Sequence, residues 1–151
     1  MNTERNTHSK LLGYLLWIFG FTGAHRFYFG KPITGTLWFF TFGLFGIGWL
    51  VDLFLIPSMD RRADYKYAPG PLDYSLAWLL LVFLGFFGIQ RLYLHKWATG
   101  ITLLILGCLS AAGMWFFIPI IALFYLIDLW TLNGQVNAYN TAHPTVVLAT
   151  A

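Results

Sequence analysis

Residues 20–28, Gly-Phe-Thr-Gly-Ala-His-Arg-Phe-Tyr, recur 65 residues later as residues 85–93, Gly-Phe-Phe-Gly-Ile-Gln-Arg-Leu-Tyr. The similarity extends to Gly35 and Gly100, with eight identities in sixteen positions. In each copy an apolar run ends at an arginine, and a second apolar run follows that contains one aspartate, Asp52 or Asp128. The sequence therefore predicts two copies of one structural unit.

The composition excludes an ordinary soluble protein. Only 10% of the residues are charged and 58% are hydrophobic, whereas soluble domains have roughly 25% charged residues. Four apolar runs approach the length of about 20 residues needed to cross a bilayer. We therefore expect an all-α integral membrane protein with four transmembrane helices, arranged as two tandem helical hairpins.

The pattern predicts five segments: a polar N-terminal tail (1–9), a first two-helix unit (10–59), a polar Pro-rich linker (60–72), a second two-helix unit (73–133) and a C-terminal tail (134–151). The second helix is expected to be continuous over residues 34–56, about 35 Å long. The apolar run 98–132 would measure about 52 Å as one straight helix, so a break is expected at Gly107, Gly113 or Pro119. Asn133-Gly134 predicts a helix stop.

The basic residues leave the membrane orientation undecided. If the hairpins cross the bilayer, Arg5, Lys10, Arg61, Arg62 and Lys66 lie on the side of the termini and linker. Arg26, Lys31, Arg91 and Lys96 then lie on the side of the hairpin turns. Five positive charges against four do not fix an orientation.

Each hairpin turn carries an arginine, a tyrosine and a lysine, which we treat as candidate residues for binding lipid or a partner: Arg26, Tyr28 and Lys31 in the first unit, and Arg91, Tyr93 and Lys96 in the second. In one interpretation the arginines only extend to the head groups as membrane anchors. In the other they bind lipid phosphate, which a guanidinium group can contact through two hydrogen bonds.

Asp52 and Asp128 lie within apolar runs, and an intramembrane carboxylate is a candidate functional group. In a continuous second helix Asp52 would lie about 27 Å from Thr34 and far from Arg26. Lys10 is then its expected partner, and only a broken or re-entrant helix would allow an Arg26–Asp52 pair. We interpret both aspartates as intramembrane polar anchors that hydrogen-bond between helices.

No sequence pattern indicates catalysis. The motifs of serine hydrolases and zinc proteases are absent, the four histidines lack metal-ligand spacing, and the two aspartates lack the flanking patterns of intramembrane aspartyl proteases. We expect neither enzymatic activity nor a cofactor. The net charge of +3 is dispersed over short loops, which argues against nucleic-acid binding. Membrane lipids, anionic ones included, are the expected partners.

The first unit resembles the transmembrane-two (TM-two) domain family. The resemblance rests on residues 20–31, on Gly35, and on Trp49-Leu50-Val51-Asp52-Leu53-Phe54. Members of that family are small proteins with two helices joined by a short loop, whose Arg-Phe-Tyr type motif corresponds to Arg26-Phe27-Tyr28. The second unit is similar to a diverged copy, with His95 in the place of Gly30. The resemblance implies a membrane module without an established general enzymatic activity, linked in some relatives to signalling, surface proteins or stress.

These observations favour a non-enzymatic, multi-pass integral protein of the cytoplasmic (plasma) membrane that interacts with lipids, with a membrane protein or with its own copies. One alternative is a small oligomeric transporter or ion-conducting protein that uses the intramembrane aspartates and arginines. An intramembrane hydrolase is a further alternative.

Overall fold

The computed structural model describes residues 6–19 and 23–144, which are all-α and contain eight α-helices. The chain forms two compact units, unit 1 (residues 1–71 and 140–151) and unit 2 (residues 72–139). The first four helices are α1 (Lys10–Phe19), α2 (Ala24–Tyr28), α3 (Pro32–Phe45) and α4 (Ile47–Lys66). The next four are α5 (Tyr74–Leu84), α6 (Ile89–Tyr93), α7 (Trp97–Ala111) and α8 (Ile118–Ala142), with 3₁₀ turns at Gly85–Phe87 and Trp115–Phe117.

Each predicted long helix is broken in two, because left-handed residues interrupt the apolar runs. Gly23 and Gly88, with φ of 75° and 69°, immediately precede α2 and α6. Glycine adopts this conformation without the steric cost of a Cβ atom. The preceding residues of the first repeat, 20–22, lie outside the described residues. In both units the arginine therefore occupies a short, separate helix and not the end of a long one.

The predicted continuous helix over residues 34–56 is wrong. Five consecutive residues, 42–46, have positive φ, from 49° at Phe42 to 84° at Gly46. Gly43 and Gly46 favour this turn, whereas the three residues that are not glycine oppose it. After the turn α4 runs back along α3, since Gly48 lies against Trp38 and Lys66 donates a hydrogen bond to the Gly30 carbonyl at 3.1 Å.

The fourth apolar run breaks within the predicted region. Gly113 has φ of 103° and follows the end of α7, and Pro119 lies in the first turn of α8, where its missing N–H costs no helical hydrogen bond. Gly107 instead lies inside α7, packed against Phe87. The predicted stop at Asn133-Gly134 is wrong, because α8 continues to Ala142.

The described part of the predicted N-terminal tail, residues 6–9, is held against α4. Asp64 Oδ1 accepts hydrogen bonds from the backbone N–H groups of Thr7 and His8, at 2.8 and 3.1 Å, and from the Thr7 hydroxyl at 2.9 Å. The predicted linker is also shorter than expected, since α4 extends to Lys66. Residues 6–9, the turn at 29–31 and residues 64–67 thus form one end of unit 1, which we call the polar end.

The outer surface of the described helices is rich in large apolar side chains. Phe45 is 91% exposed, Phe54 81% and Leu11 79%. Among the described residues, one helical segment, Trp115–Ala142, is long and apolar enough to cross a membrane, and three shorter apolar helices have 10 to 17 residues. The all-α class is confirmed, while four membrane-spanning helices are not: one segment qualifies.

Candidate functional site

A buried ion pair lies at the centre of unit 1. Arg26 Nε donates a hydrogen bond to Asp52 Oδ2 at 2.7 Å, and a second guanidinium nitrogen donates to Oδ1. The ring Nε2 of His25 lies 2.7 Å from the same Oδ2 atom. Asp52 and His25 are fully buried and Arg26 is 7% exposed. The three side chains form a compact polar cluster that is closed to solvent.

Unit 2 contains the same constellation with one exchange. Arg91 Nε and a second guanidinium nitrogen donate to Asp128 Oδ2 and Oδ1, at 2.7 and 2.6 Å. Gln90 takes the place of His25 and donates from Nε2 to Asp128 Oδ2 at 2.9 Å. Gln135 also donates to Oδ1, at 3.2 Å. In both units the arginine contacts both oxygens of the carboxylate, and the residue before the arginine contacts one of them.

Local sequence determines this geometry. The backbone N–H of each arginine donates to the left-handed glycine three residues earlier, from Arg26 to Gly23 at 2.9 Å and from Arg91 to Gly88 at 3.0 Å. Gly35 then lets α3 approach α2, because a Cβ atom there would lie 2.8 Å from the Phe27 ring. Gly100 allows the same approach in unit 2, where a Cβ atom would collide with the Leu92 side chain.

In each pair the buried arginine and the buried aspartate neutralise each other's charge. Burying a charge is costly unless it is paired and hydrogen-bonded, and a bidentate guanidinium–carboxylate contact meets both requirements. Aromatic rings cover the cations: the Arg26 guanidinium lies 3.5 Å from the Trp38 ring centre, and that of Arg91 lies 4.8 Å from the Phe124 ring centre. Both guanidinium groups are thus directed into their units. The anchor interpretation expected them to extend outward to the lipid head groups.

The prediction that Lys10 pairs with Asp52 is wrong. Lys10 Nζ instead lies 3.7 Å from Asp60 Oδ2 at the polar end. The prediction assumed a straight second helix, and the turn at residues 42–46 instead brings Asp52 back to Arg26. Burial, followed by the nearby Asp64 carboxylate, raises the pKa of Asp60 to about 6, while Lys10 opposes this rise.

The candidate tyrosines connect each arginine turn to the start of its unit. The Tyr28 hydroxyl accepts a hydrogen bond from the Ser9 backbone N–H at 2.5 Å, and it is fully buried. The Tyr93 hydroxyl likewise accepts from the Asp73 N–H at 2.7 Å. Both tyrosines therefore serve an internal contact in this structure.

The candidate lysines lie nearer the surface. Lys31 is half-buried, and burial together with the positive charges of Arg26 and Arg62 lowers its pKa. Lys96 is exposed and donates to the Gln135 side chain at 2.8 Å. Of the six candidate binding residues, these two are the ones whose charge faces outward.

Sequence reasoning missed two parts of the site. It gave His25 no role, although the ring is fully buried beside Asp52. The alignment of His25 with Gln90, another side chain able to donate a hydrogen bond, was the available signal. It also missed the stacked pair Trp17 and Trp49, whose ring centres lie 4.3 Å apart and whose indole N–H groups donate to each other's backbone carbonyls.

Comparison with known proteins supports the resemblance found for the first unit. A family model described as "TM2 domain" matches residues 6–54. Two TM2 domain-containing proteins of Dictyostelium discoideum are 51% identical over 60 residues and 54% identical over 71 residues. These matches cover 39% and 41% of this chain, and 39% and 52% of the relatives. The chain thus matches about half or less of the length of these relatives.

No solved structure matches the chain. The family match covers the helices α1 to α3 and the start of α4 as far as Phe54, so it contains His25, Arg26 and Asp52 of the ion-pair cluster. A TM2 domain implies membrane association, in agreement with the apolar surface. Residues 6–54 of this chain therefore match a TM2 domain.

Proposed function

We propose that this chain is a non-enzymatic, multi-pass integral protein of the cytoplasmic membrane whose two units interact with lipids or with a membrane partner. The observation that carries the proposal is the inverted polarity of the units. Four charged side chains in the two pairs are at most 7% exposed, whereas Phe45 and Phe54 are more than 80% exposed. Such apolar exposure is unfavourable in water and favourable in hydrocarbon.

We also propose that unit 2 is a diverged duplicate of unit 1. The supporting observations are the same bidentate ion pair, the same tyrosine contact to a backbone N–H before the first long helix of the unit, and the same close glycine approach. The arginines, the tyrosines and the glycines of these contacts lie 65 residues apart. Asp128 lies eleven residues further along than a strict repeat requires. Each carboxylate still contacts its arginine, although the chain is interrupted at residues 42–46 in unit 1 and at Gly113 in unit 2.

Within this proposal Asp52 and Asp128 act as polar anchors that hold two helical segments together. Transport groups must exchange partners or face an aqueous path. Here each carboxylate is closed to solvent and held by its arginine together with His25 in unit 1, or with Gln90 and Gln135 in unit 2. This geometry favours the anchor role over the transporter alternative, and it offers no uncommitted carboxylate for hydrolysis.

Two experiments test the proposal. The full chain, expressed in cells, should stay in the membrane pellet after extraction at alkaline pH, because its apolar surface has no other favourable environment. Release into the supernatant would overturn integral insertion. Purified protein in liposomes should show no ion flux above that of empty liposomes; flux that disappears in Asp52→Asn with unchanged thermal stability would establish the transporter alternative instead.

A further inference from the structure

Two arginines of the described residues have no internal counter-charge. Arg26 and Arg91 are buried in their ion pairs. Arg61 and Arg62, in the last two turns of α4, are instead exposed. Within the part of the chain that the structure describes, neither of these two forms an ion pair with an acid. Their guanidinium groups are therefore available to an anion from outside the chain.

The acidic side chains of the same helix end are engaged inside unit 1. Asp60 is 4% exposed, and its Oδ2 atom lies 3.7 Å from Lys10 Nζ. Asp64 Oδ1 accepts hydrogen bonds from the backbone N–H groups of Thr7 and His8. The end of α4 thus directs its negative charges inward and its positive charges outward.

The exposed positions of α4 form one stripe that changes from apolar to basic along the helix. The apolar part contains three side chains that are at least 40% exposed: Val51, Phe54 and Leu55. The second part, which we call the basic face, contains four exposed residues: Arg61, Arg62, Tyr65 and Lys66. Spacings of three, four and seven residues place these positions on one side of the helix. The order of the two parts is that of an acyl chain followed by a head group.

The distance along this stripe suits a phospholipid. Phe54 and Arg62 are eight residues apart, about 12 Å along a helix. If the Phe54 ring lies in hydrocarbon, the long side chain of Arg62 reaches the level of the head groups. The exposed Tyr65 fits the same level, where tyrosine is enriched in membrane proteins.

The basic face also has a like-charge contact that an anion would relieve. Arg62 and Lys66 are four residues apart on the same helix, where two positive charges repel each other. Lys66 Nζ donates to the Gly30 carbonyl, an acceptor that carries no net charge. A phosphate group can offset both charges and accept two hydrogen bonds from one guanidinium group.

We infer that the basic face binds the phosphate group of an anionic phospholipid whose acyl chains lie along Val51 and Phe54. The inference rests on the proposed membrane insertion and names the lipid class that unit 1 selects. The head group of a zwitterionic lipid carries its own cation, which offsets the attraction of its phosphate to Arg61 and Arg62. The basic face therefore prefers lipids with a net negative charge.

The corresponding part of unit 2 lacks this surface. After Asp128, helix α8 continues through residues 129–142 without a charged side chain. Residues 53–66, which follow Asp52, contain three positive charges. The two units thus share the buried ion pair and differ in the helix surface beyond it, so the lipid preference belongs to unit 1.

Photo-cross-linking locates the lipid. The purified full chain is reconstituted in phosphatidylcholine vesicles that contain a trace of phosphatidylglycerol with a photoreactive group in its acyl chain. Equally labelled phosphatidylcholine is used in parallel. Mass spectrometry of the peptides should show that phosphatidylglycerol labels α4 more strongly, by a margin that falls as salt is added. Equal labelling by the two lipids would overturn the inference and leave the basic face to an acidic protein.

Arg62→Gln tests the contribution of one guanidinium group. It should lower the preference for phosphatidylglycerol about fivefold, the typical effect of one basic residue near an anionic surface. Arg62→Lys keeps the charge but loses the planar pair of donors, so its loss should be smaller. Lys96→Gln, which removes an exposed positive charge from unit 2, is the matched control. An equal loss in this control would overturn a specific site on α4. Unchanged thermal unfolding of the variants excludes an effect on folding.

Two further measurements separate the other outcomes. Inorganic phosphate should reduce the labelling no more than chloride at the same ionic strength, and a larger reduction would show a site for soluble phosphate and overturn the lipid assignment. Flotation of the chain with the vesicles is measured in each experiment. A chain that does not float would overturn the proposed membrane insertion and this inference with it. A chain that floats without preferring phosphatidylglycerol would overturn this inference alone.

Discussion

Replacing Asp52 by Asn tests whether the buried pair holds unit 1 together. The change keeps the size and one acceptor oxygen of the side chain but removes the negative charge. Arg26, which is 7% exposed and covered by Trp38, then remains buried without a counter-charge. His25 also loses the carboxylate that lies 2.7 Å from its Nε2 atom.

The expected loss is large because the remaining charge is enclosed. Removing one partner of a buried ion pair costs about 3–5 kcal/mol, whereas replacing both partners by apolar residues is often neutral or stabilising. Asp52→Asn and Arg26→Met should each lower the free energy of unfolding by about that amount. The double variant Arg26→Met/Asp52→Leu should recover most of it.

The measurement is unfolding of the purified protein in mixed micelles of increasing denaturing-detergent fraction, followed by tryptophan fluorescence. Asp73→Asn is the matched control, since Asp73 is exposed and caps α5 by accepting from the Leu76 N–H at 2.8 Å, a role that Asn fills equally well. A loss below about 1 kcal/mol for Asp52→Asn, or a double variant as unstable as the single ones, would refute the reasoning, because a buried pair costs several times more to break.

His25, Gly23 and Asp60 provide three other tests of the structure of unit 1. His25→Gln copies the constellation of unit 2 and should change stability far less than Asp52→Asn in the same micelle assay; an equal loss would show that the histidine has a role that glutamine cannot fill. Gly23→Ala should destabilise more than Gly46→Ala, because both positions have positive φ but only at Gly23 would a Cβ atom meet other atoms, at 2.7 Å from Trp38 Cβ; equal thermal shifts would contradict this packing. Since the pKa of Asp60 is raised from 3.8 to about 6, the folded protein binds more protons there than the unfolded chain, and its stability should fall as pH rises from about 4 to 6; Asp60→Asn should remove this part of the pH profile, and an unchanged profile would contradict the assignment.

The features of the fold that depend on neighbouring residues in the sequence were predictable. The long apolar runs indicated the all-α class, and the excessive length of the run 98–132 indicated the break that occurs at Gly113. The TM2 domain was recognisable because its motif residues are contiguous or nearly so. These features depend on near neighbours in the chain.

The path of the chain was not predictable in the same way. A run such as 34–56 has the length and hydropathy of a spanning helix, and nothing in its apolar pattern requires three residues other than glycine to adopt the left-handed conformation. The assignment of Asp52 to Lys10 followed from that error. Asp52 and Arg26 are 26 residues apart, so their contact depends on tertiary structure and leaves no local periodicity.

The reversal at residues 42–46 gives Asp52 a role in the path of the chain as well as in stability. Left-handed conformations cost about 1–2 kcal/mol for each residue other than glycine, so Phe42, Leu44 and Phe45 together oppose the turn by about 3–6 kcal/mol. The buried pair that the turn creates is worth a comparable amount when broken, about 3–5 kcal/mol. A straight helix would relieve the backbone but separate the charges. One carboxylate thus determines whether this apolar segment folds back on itself or continues as one straight helix.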